Sequence, residues 1–312
     1  MNRPVLQISP RKDVPMKLLG LGDNVCDLYL HTGMMYPGWQ ALNVAVNAAR
    51  LGAKADFLGV FGTDCVAEHV RHVLDEEGIG CERCRIYPGE NGYAKVTLNH
   101  GDRVFLGSNR GGVLQRHPIS LDEEDLSYCS EFQIIHTSNN SFLDGELPKL
   151  STLPGLVSYD FSGQWTDEER LNRVCPYIDF AFLSGSGLSE TEAIAIANRM
   201  MALGKMVVCI TRGNQSALIY DGPFHMKQSP YIVEALDTMG AGDSFAAGLL
   251  TKLGKQLEQD GKENWGNPLY RAELLHASLV DAAKWSAHTC TISGAIGYGT
   301  DIPLELMARV ST

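Results

Sequence analysis

The sequence predicts an α/β layered fold, with a mainly parallel central sheet between helices and a small antiparallel β lid set into it. Three observations lead there. Short apolar runs alternate with helical stripes along most of the 312 residues, and strands buried on both faces and joined by helices make a parallel sheet. Several helix starts carry the Ser/Thr-x-x-Glu pattern of a capping box. Two stretches break the alternation in a way that suits paired strands.

In chain order, Lys17–Gly22 is the first apolar strand, and Asp27–Tyr36 is a second extended segment with no helix between the two. Leu42–Leu51 places apolar residues at 42, 45, 46 and 49, the spacing of one helical face. Ala55–Phe61 is a strand, and Cys65–Glu77 is a helix that Gly78 terminates. Tyr93–Leu98 and Arg103–Gly107 flank Asn99-His100-Gly101-Asp102, a hairpin-like turn. These pieces build the lid, from about 27–40 and 92–110, inserted in a single domain over 1–312. Phe132–His136, Leu156–Phe161, Asp179–Leu183 and Met206–Thr211 continue the sheet. Ser120 with Glu123, Thr166 with Glu169 and Ser189 with Glu192 mark helices between them. From Gly242 the chain turns mainly helical, with apolar stripes over Asp243–Leu257 and Leu269–His288.

Composition narrows the function. Hydrophobic residues at 44% and charged residues at 20% lie near globular averages, which excludes a disordered chain. Lys and Arg number 26 against 37 Asp and Glu, a net charge of −11. That balance argues against sequence-independent nucleic-acid binding, which needs basic charge. No apolar run reaches the roughly 18–20 residues that span a bilayer. The opening MNRPVLQISPRKDVPMK has no signal-peptide core. The reading is a soluble, cytoplasmic protein with no membrane partner. Of eight cysteines, Cys81 and Cys84 form one CxxC pair with no second pair nearby. A zinc site wants four ligands, so the cysteines read as structural thiols.

The sharpest local signal is Asp237-Thr238-Met239-Gly240-Ala241-Gly242-Asp243-Ser244-Phe245. A glycine-rich turn here meets a helix whose stripe includes Phe245, Leu249, Leu253 and Leu257. Free amides and the dipole at a helix start favour an anion. An acid at the same point can take a proton from an alcohol while the amides stabilise a transferring phosphoryl group. Asp243 is therefore the candidate base, with the amides of Ala241, Gly242 and Asp243 as an anion hole. A plain N-cap is the other reading of Asp243. The chain has no GxxxxGK[ST] loop and no GxGxxG after its first strand.

The nonamer resembles the DTxGAGD signature of the ribokinase-like (PfkB) carbohydrate kinases, and the similarity runs over about Lys17–Gly299. Gly22-Asp23-Asn24-Val25-Cys26-Asp27, Ala41-Leu42-Asn43-Val44-Ala45, Thr211-Arg212-Gly213 and Gly294-Ala295-Ile296-Gly297-Tyr298-Gly299 follow in family order. Within the family, the opening GDNxxD, Asp160-Phe161-Ser162-x-x-Trp165 and Asp179-Phe180-Ala181-Phe182 resemble the fructoselysine 6-kinase group. The resemblance implies a ribokinase-like α/β/α body. It also implies ATP-dependent phosphorylation of a primary sugar hydroxyl, the 6-hydroxyl of a fructosamine, with Mg²⁺. It places Asp27, Asp23, Asn24, Gly38, Asn43 and Arg110 at the sugar, Arg110 also being near the phosphate. It places Thr211, Gly213, Thr238, Gly240 and Gly242 at the nucleotide phosphates, and His276, Ala283 and Gly294 around adenine. A monovalent cation such as K⁺ beside the Asp237–Met239 backbone, and a homodimer through the lid sheets, are further implications.

The chain departs from the family pattern in three places. The paired lid-hinge glycines are Gly38-Trp39 here, and Trp39 restricts the lid or walls the sugar site. The NxxE segment that organises magnesium water is not intact, and Glu190 is the candidate acid, acting through water. Gln164 stands where related sequences often carry a basic residue. Two other functions fit the same residues: a kinase of a plain ketose or pentose, and a non-catalytic sugar- or nucleotide-binding protein.

Overall fold

A computed structural model describes residues 15–99 and 102–310. Its strands in chain order are β1 (Lys17–Gly22), β2 (Val25–Tyr29), β3 (Met34–Gly38), β4 (Lys54–Phe61), β5 (Arg85–Ile86), β6 (Gly92–Asn99) and β7 (Asp102–Ser108). There follow β8 (Ile134–Ser138), β9 (Leu156–Asp160), β10 (Phe180–Ser184), β11 (Val207–Arg212), β12 (Gln215–Asp221), β13 (Phe224–Gln228) and β14 (Thr300–Asp301). The large sheet runs β13-β12-β11-β10-β9-β8-β1-β4-β5. From β11 across to β5 every pair is parallel. β12 and β13 extend it as an antiparallel hairpin. The strand order reverses between β8 and β1, and in open α/β sheets ligands bind outside the carboxyl ends of strands at such a point.

The small sheet runs β14-β3-β2-β6-β7. It corrects the expected all-antiparallel pairing, because β2 and β6 are parallel. The chain between them travels through β4 and the Cys65–Glu76 helix before returning, and such a crossover sets neighbours parallel. The single extended segment expected over 27–36 is two strands. Thr32 and Gly33 donate back to the Tyr29 carbonyl at 3.0 and 2.9 Å, and Gly33 turns the chain at φ 71°. The tip of the expected hairpin, His100-Gly101, lies outside the described residues, as does most of the N-terminal stretch.

Helix starts correct two capping expectations. Asp122 caps the Glu123–Cys129 helix in a capping box with Asp125, and Asp167 caps Glu168–Val174 by accepting from Arg170 N. Neither Ser120 nor Thr166 caps a helix. Ser189 and Glu192 form their box as expected. All eight cysteines are free thiols. Among the described residues, no helix is long and apolar enough to cross a membrane.

One close approach fixes the site. The Gln40–Arg50 helix is buried from Gln40 through Ala48, its asparagines included. It lies directly on β1, where a Cβ on Gly20 would stand 2.4 Å from the Ala41 carbonyl oxygen. Only glycine allows that contact, and it sets the helix start over the ends of β1 and β8. Gly20→Ala should therefore destabilise the protein by about 2 kcal/mol, an overpacking cost, as read by urea unfolding. An unchanged midpoint would show that the helix is free to shift.

Candidate active site

Four carboxylates meet the entry and first turn of the Gln40–Arg50 helix, each through a different residue. The Trp39 indole donates to Asp27 Oδ1 at 3.2 Å. The Gln40 side chain hydrogen-bonds Asp160. The Ala41 amide donates to Asp23 Oδ1 at 3.3 Å. Asn43 Nδ2 donates to Asp243 Oδ2 at 2.6 Å. The acids come from four places in the sequence: β2, the end of β9, the loop after β1, and the start of the Ala241–Asp260 helix.

Asp243 lies in the first turn of that helix, partly exposed. The helix has Gly240 at its N-cap in the left-handed conformation, φ 70°, with no side-chain cap. A Cβ there would meet Ala295 Cβ at 2.3 Å, so glycine is required. At Gly242 a Cβ would meet nothing within 4 Å, and its N–H has no acceptor among the described residues. The Ala241 N–H turns back to the Thr238 carbonyl at 3.3 Å. Of the expected cradle, Gly242 is therefore the amide best placed for an anion, and this twenty-residue helix adds its dipole. Thr238 is exposed, while Thr211 and Gly213 flank the exit of β11, with Gly213 at φ 61°. The open, amide-lined helix start fits a nucleotide phosphate.

Asn43 joins the two halves of the site. While its Nδ2 holds Asp243, its Oδ1 is buried without a hydrogen-bond partner. From the position of a Cβ on Gly38, that oxygen is 3.2 Å away and Asp27 Oδ2 is 3.7 Å away. Gly38, Asp27 and Asn43 thus form one buried polar cluster beside Asp243, rich in acceptors. Trp39 closes it. Its backbone, φ 80° and ψ 164°, lies in a region that is essentially glycine-only and costs about 1–3 kcal/mol. The indole hydrogen bond to Asp27 helps to hold it there.

Other expected residues serve the framework. Asp23 is 1% exposed, and its Oδ1 also accepts from Ser138 Oγ at 2.8 Å and Ser141 Oγ at 2.7 Å. Burial pushes its carboxyl above the usual range despite those bonds. Asn24 is buried, donating to the Val60 carbonyl at 3.0 Å and accepting from Asn91 Nδ2 at 2.9 Å. Both ends of its amide thus hold framework partners. Gly294 donates to Asp237 Oδ2 at 2.8 Å, and a Cβ on it would strike the Tyr36 ring at 2.6 Å. Its lack of a side chain lets the small sheet pack on the signature loop. His276 is exposed on the Pro268–Thr289 helix, with no side-chain contact that ties it to the cradle.

Metal expectations fare differently. Glu190 is exposed and ion-paired with Lys227, with Arg212 at 3.7 Å. Those cations hold its carboxyl below the usual range. It reaches the Thr211–Gly213 turn through Arg212, but its charge is already answered. Among the described residues no group of three or more His, Cys, Asp or Glu could hold a metal, so a divalent ion here would rely on phosphates and water. Asp237 accepts from Tyr29 Oη at 2.6 Å, Gly294 N and Met239 N. That donor set satisfies its carboxylate and ties the signature loop to the small sheet.

Sequence reasoning quoted Asp160 only as part of a motif. It is 7% exposed, and its Oδ1 accepts from Ser162 N at 2.6 Å. Burial first, then the charge of Asp243, lifts its carboxyl to about 7. Its place at the end of a central strand was the available signal.

The comparisons agree with this geometry. The fold matches ribokinase from Giardia lamblia with a TM-score of 0.78 at 14% identity, over 95% of this chain and 98% of that one. It matches fructokinase with bound ATP from Xylella fastidiosa with a TM-score of 0.70 at 20% identity, over 95% and 99%. In sequence, the chain is 41% identical over 291 residues to fructosamine kinase FrlD of Bacillus subtilis, covering 93% of this chain and 96% of the relative. It is 31% identical over 236 residues to fructoselysine 6-kinase of Escherichia coli, covering 75% and 88%. The model of the pfkB family carbohydrate kinases matches residues 17–153 and 176–269. With the signature loop, the helix-start cradle and the acid-lined polar cluster all inside or bordering those segments, the chain belongs to the pfkB family of carbohydrate kinases.

Proposed function

We propose that the protein phosphorylates fructosamines, transferring the γ-phosphoryl group of ATP to the 6-hydroxyl of a fructose unit carried on an amino-acid amine. One observation carries the reading of the chemistry: Asp243 stands beside the open Gly242 amide and is held by Asn43, the residue that borders Asp27. The names of the relatives at 41% and 31% identity support the substrate class.

ATP with Mg²⁺ supplies the phosphoryl group and the metal's charge on the phosphates. The protein supplies alignment and proton transfer. Asp27 and Asn43 accept hydrogen bonds from sugar hydroxyls and fix the ring. Asp243, steadied by Asn43 Nδ2, orients the 6-hydroxyl and accepts its proton as the bond to phosphorus forms. The Gly242 N–H and the helix start stabilise the phosphate charge. The small sheet, with Trp39 at its hinge, is proposed to close over the sugar and keep water out.

Charge favours a fructosamine over plain fructose. Asp27 and Asp243 meet the same helix turn, and a secondary ammonium is a cation that such carboxylates attract. Fructose offers no charge in return. The exposed Val104, Phe105 and Leu106, at 37%, 57% and 50%, lie on β7 at the edge of the small sheet. We take this face as the contact with a second copy.

Asp243→Asn should lower turnover at least a thousandfold while ATP affinity changes little, as read by coupled ADP release and calorimetry; near-normal turnover would remove Asp243 as the base. The same assay on wild type should rank an N-fructosyl amino acid above fructose and ribose, and a preference for fructose or ribose would replace the substrate class. Asp160 gives a pH prediction. Its folded value of about 7 exceeds the ordinary 3.8, so the stability it contributes is present below about pH 4 and is lost as the pH rises to about 7. Between pH 5 and pH 8, wild type should lose about 2–3 kcal/mol relative to Asp160→Asn in urea unfolding; a constant difference would contradict the buried acid. Sedimentation should show a dimer that Phe105→Lys dissociates, and a wild-type monomer would remove that interface.

A further inference from the structure

Arg110 and Phe142 stand together, and neither the sugar contacts nor the phosphate cradle explains them. Both are non-glycine residues in the left-handed region, at φ 56° and 55°. Such residues persist where their surroundings over-determine them, often at ligand clamps. Arg110 opens a left-handed run with Gly111 and Gly112, at φ 89° and 59°. Asn109 pins that run, accepting from Tyr93 N at 2.9 Å and donating to the Asn91 carbonyl at 2.7 Å. Phe142 directly follows Asn140 and Ser141. Ser141 Oγ donates to Asp23 at 2.7 Å, and Asn140 Nδ2 donates to Gln40 at 2.8 Å, so the Phe142 loop is tied to the floor of the site. The two loops touch, because a Cβ on Gly111 would lie 3.3 Å from Phe142 Cε2.

The side chains behave unlike framework residues. Phe142 is 43% exposed, although large aromatic rings are usually mostly buried. Arg110 is exposed, and its guanidinium has no hydrogen bond or ion pair among the described residues; only its backbone N–H is engaged, with Ser108. An exposed cation and a half-exposed ring thus sit on two touching loops, one of which is tied to Asp23 and Gln40. That arrangement suits a dipolar ligand. Its amine faces the carboxylates, and its own carboxylate, which they repel, sits out at the guanidinium.

We propose that Arg110 and Phe142 form the subsite for the amino-acid end of the substrate, Arg110 taking its carboxylate and Phe142 covering its aliphatic stem. A guanidinium matches a carboxylate with two parallel hydrogen bonds. The subsite rests on the fructosamine reading above and extends it from the sugar to the group the sugar carries.

The test compares kcat/KM for N-fructosylglycine and N-fructosylmethylamine, which differ only in the carboxylate, in wild type and Arg110→Gln. Wild type should prefer N-fructosylglycine at least tenfold, and the variant should bring that ratio close to one. Phe142→Gly relieves the left-handed backbone, so its melting temperature should hold or rise, while KM for N-fructosylvaline should increase at least fivefold. A purely structural phenylalanine would not separate those readouts. A wild type that accepts both N-fructosyl compounds equally, or a preference that survives in Arg110→Gln, overturns the subsite alone. A wild type that phosphorylates neither overturns the fructosamine reading beneath it.

Discussion

The site depends on carboxylates held against a single buried helix start. Trp39, Gln40, Ala41 and Asn43 each hold a different acid, and those acids arrive from two strands, a loop and a helix start far apart in the chain. The positive end of the helix and its free groups offset part of their repulsion. The Gly20 contact with Ala41 is the steric condition for all of it, since the helix cannot otherwise lie over the switch point of the sheet.

Backbone strain marks where this scaffold has been bent to a task. Trp39, Arg110 and Phe142 carry bulky side chains at positive φ, in loops bound to the acidic turn or to one another. Trp39 stands where the family pattern puts glycine, and its indole is committed to Asp27. Backbone strain at these positions costs stability. Asp237 works in the opposite sense. It ties the signature loop to Tyr29 of the small sheet and to Gly294, so the position of the sheet and the shape of the cradle are linked.

Much of the body was legible in the sequence, because buried parallel strands leave plain apolar runs. Lys17–Gly22 was read to the residue, and the two long C-terminal helices within three residues at each end. The β12–β13 hairpin was missed although Asp221-Gly222 marks its turn, since Gln215 and Ser216 dilute its apolar pattern. The parallel pairing of β2 with β6 was hidden because periodicity does not report partners. In the site, Asp243, Asp27, Asn43 and Gly242 were picked out by the signature and its companions, and the fold brings Asp243, Asn43 and Asp27 together. The framework hydrogen bonds of Asn24 and Gly294 were not readable, because their partners Val60, Asn91 and Asp237 lie far away in sequence. Asp160 was underrated because its importance lies in burial and in the charge of Asp243, both products of the fold.

The most direct measurement is a crystal structure with a non-hydrolysable ATP analogue and an N-fructosyl amino acid bound together. This account places the 6-hydroxyl within hydrogen-bond reach of Asp243, with the terminal phosphate facing the Gly242 N–H. A sugar bound with that hydroxyl away from Asp243, or a phosphate seated elsewhere, would contradict it.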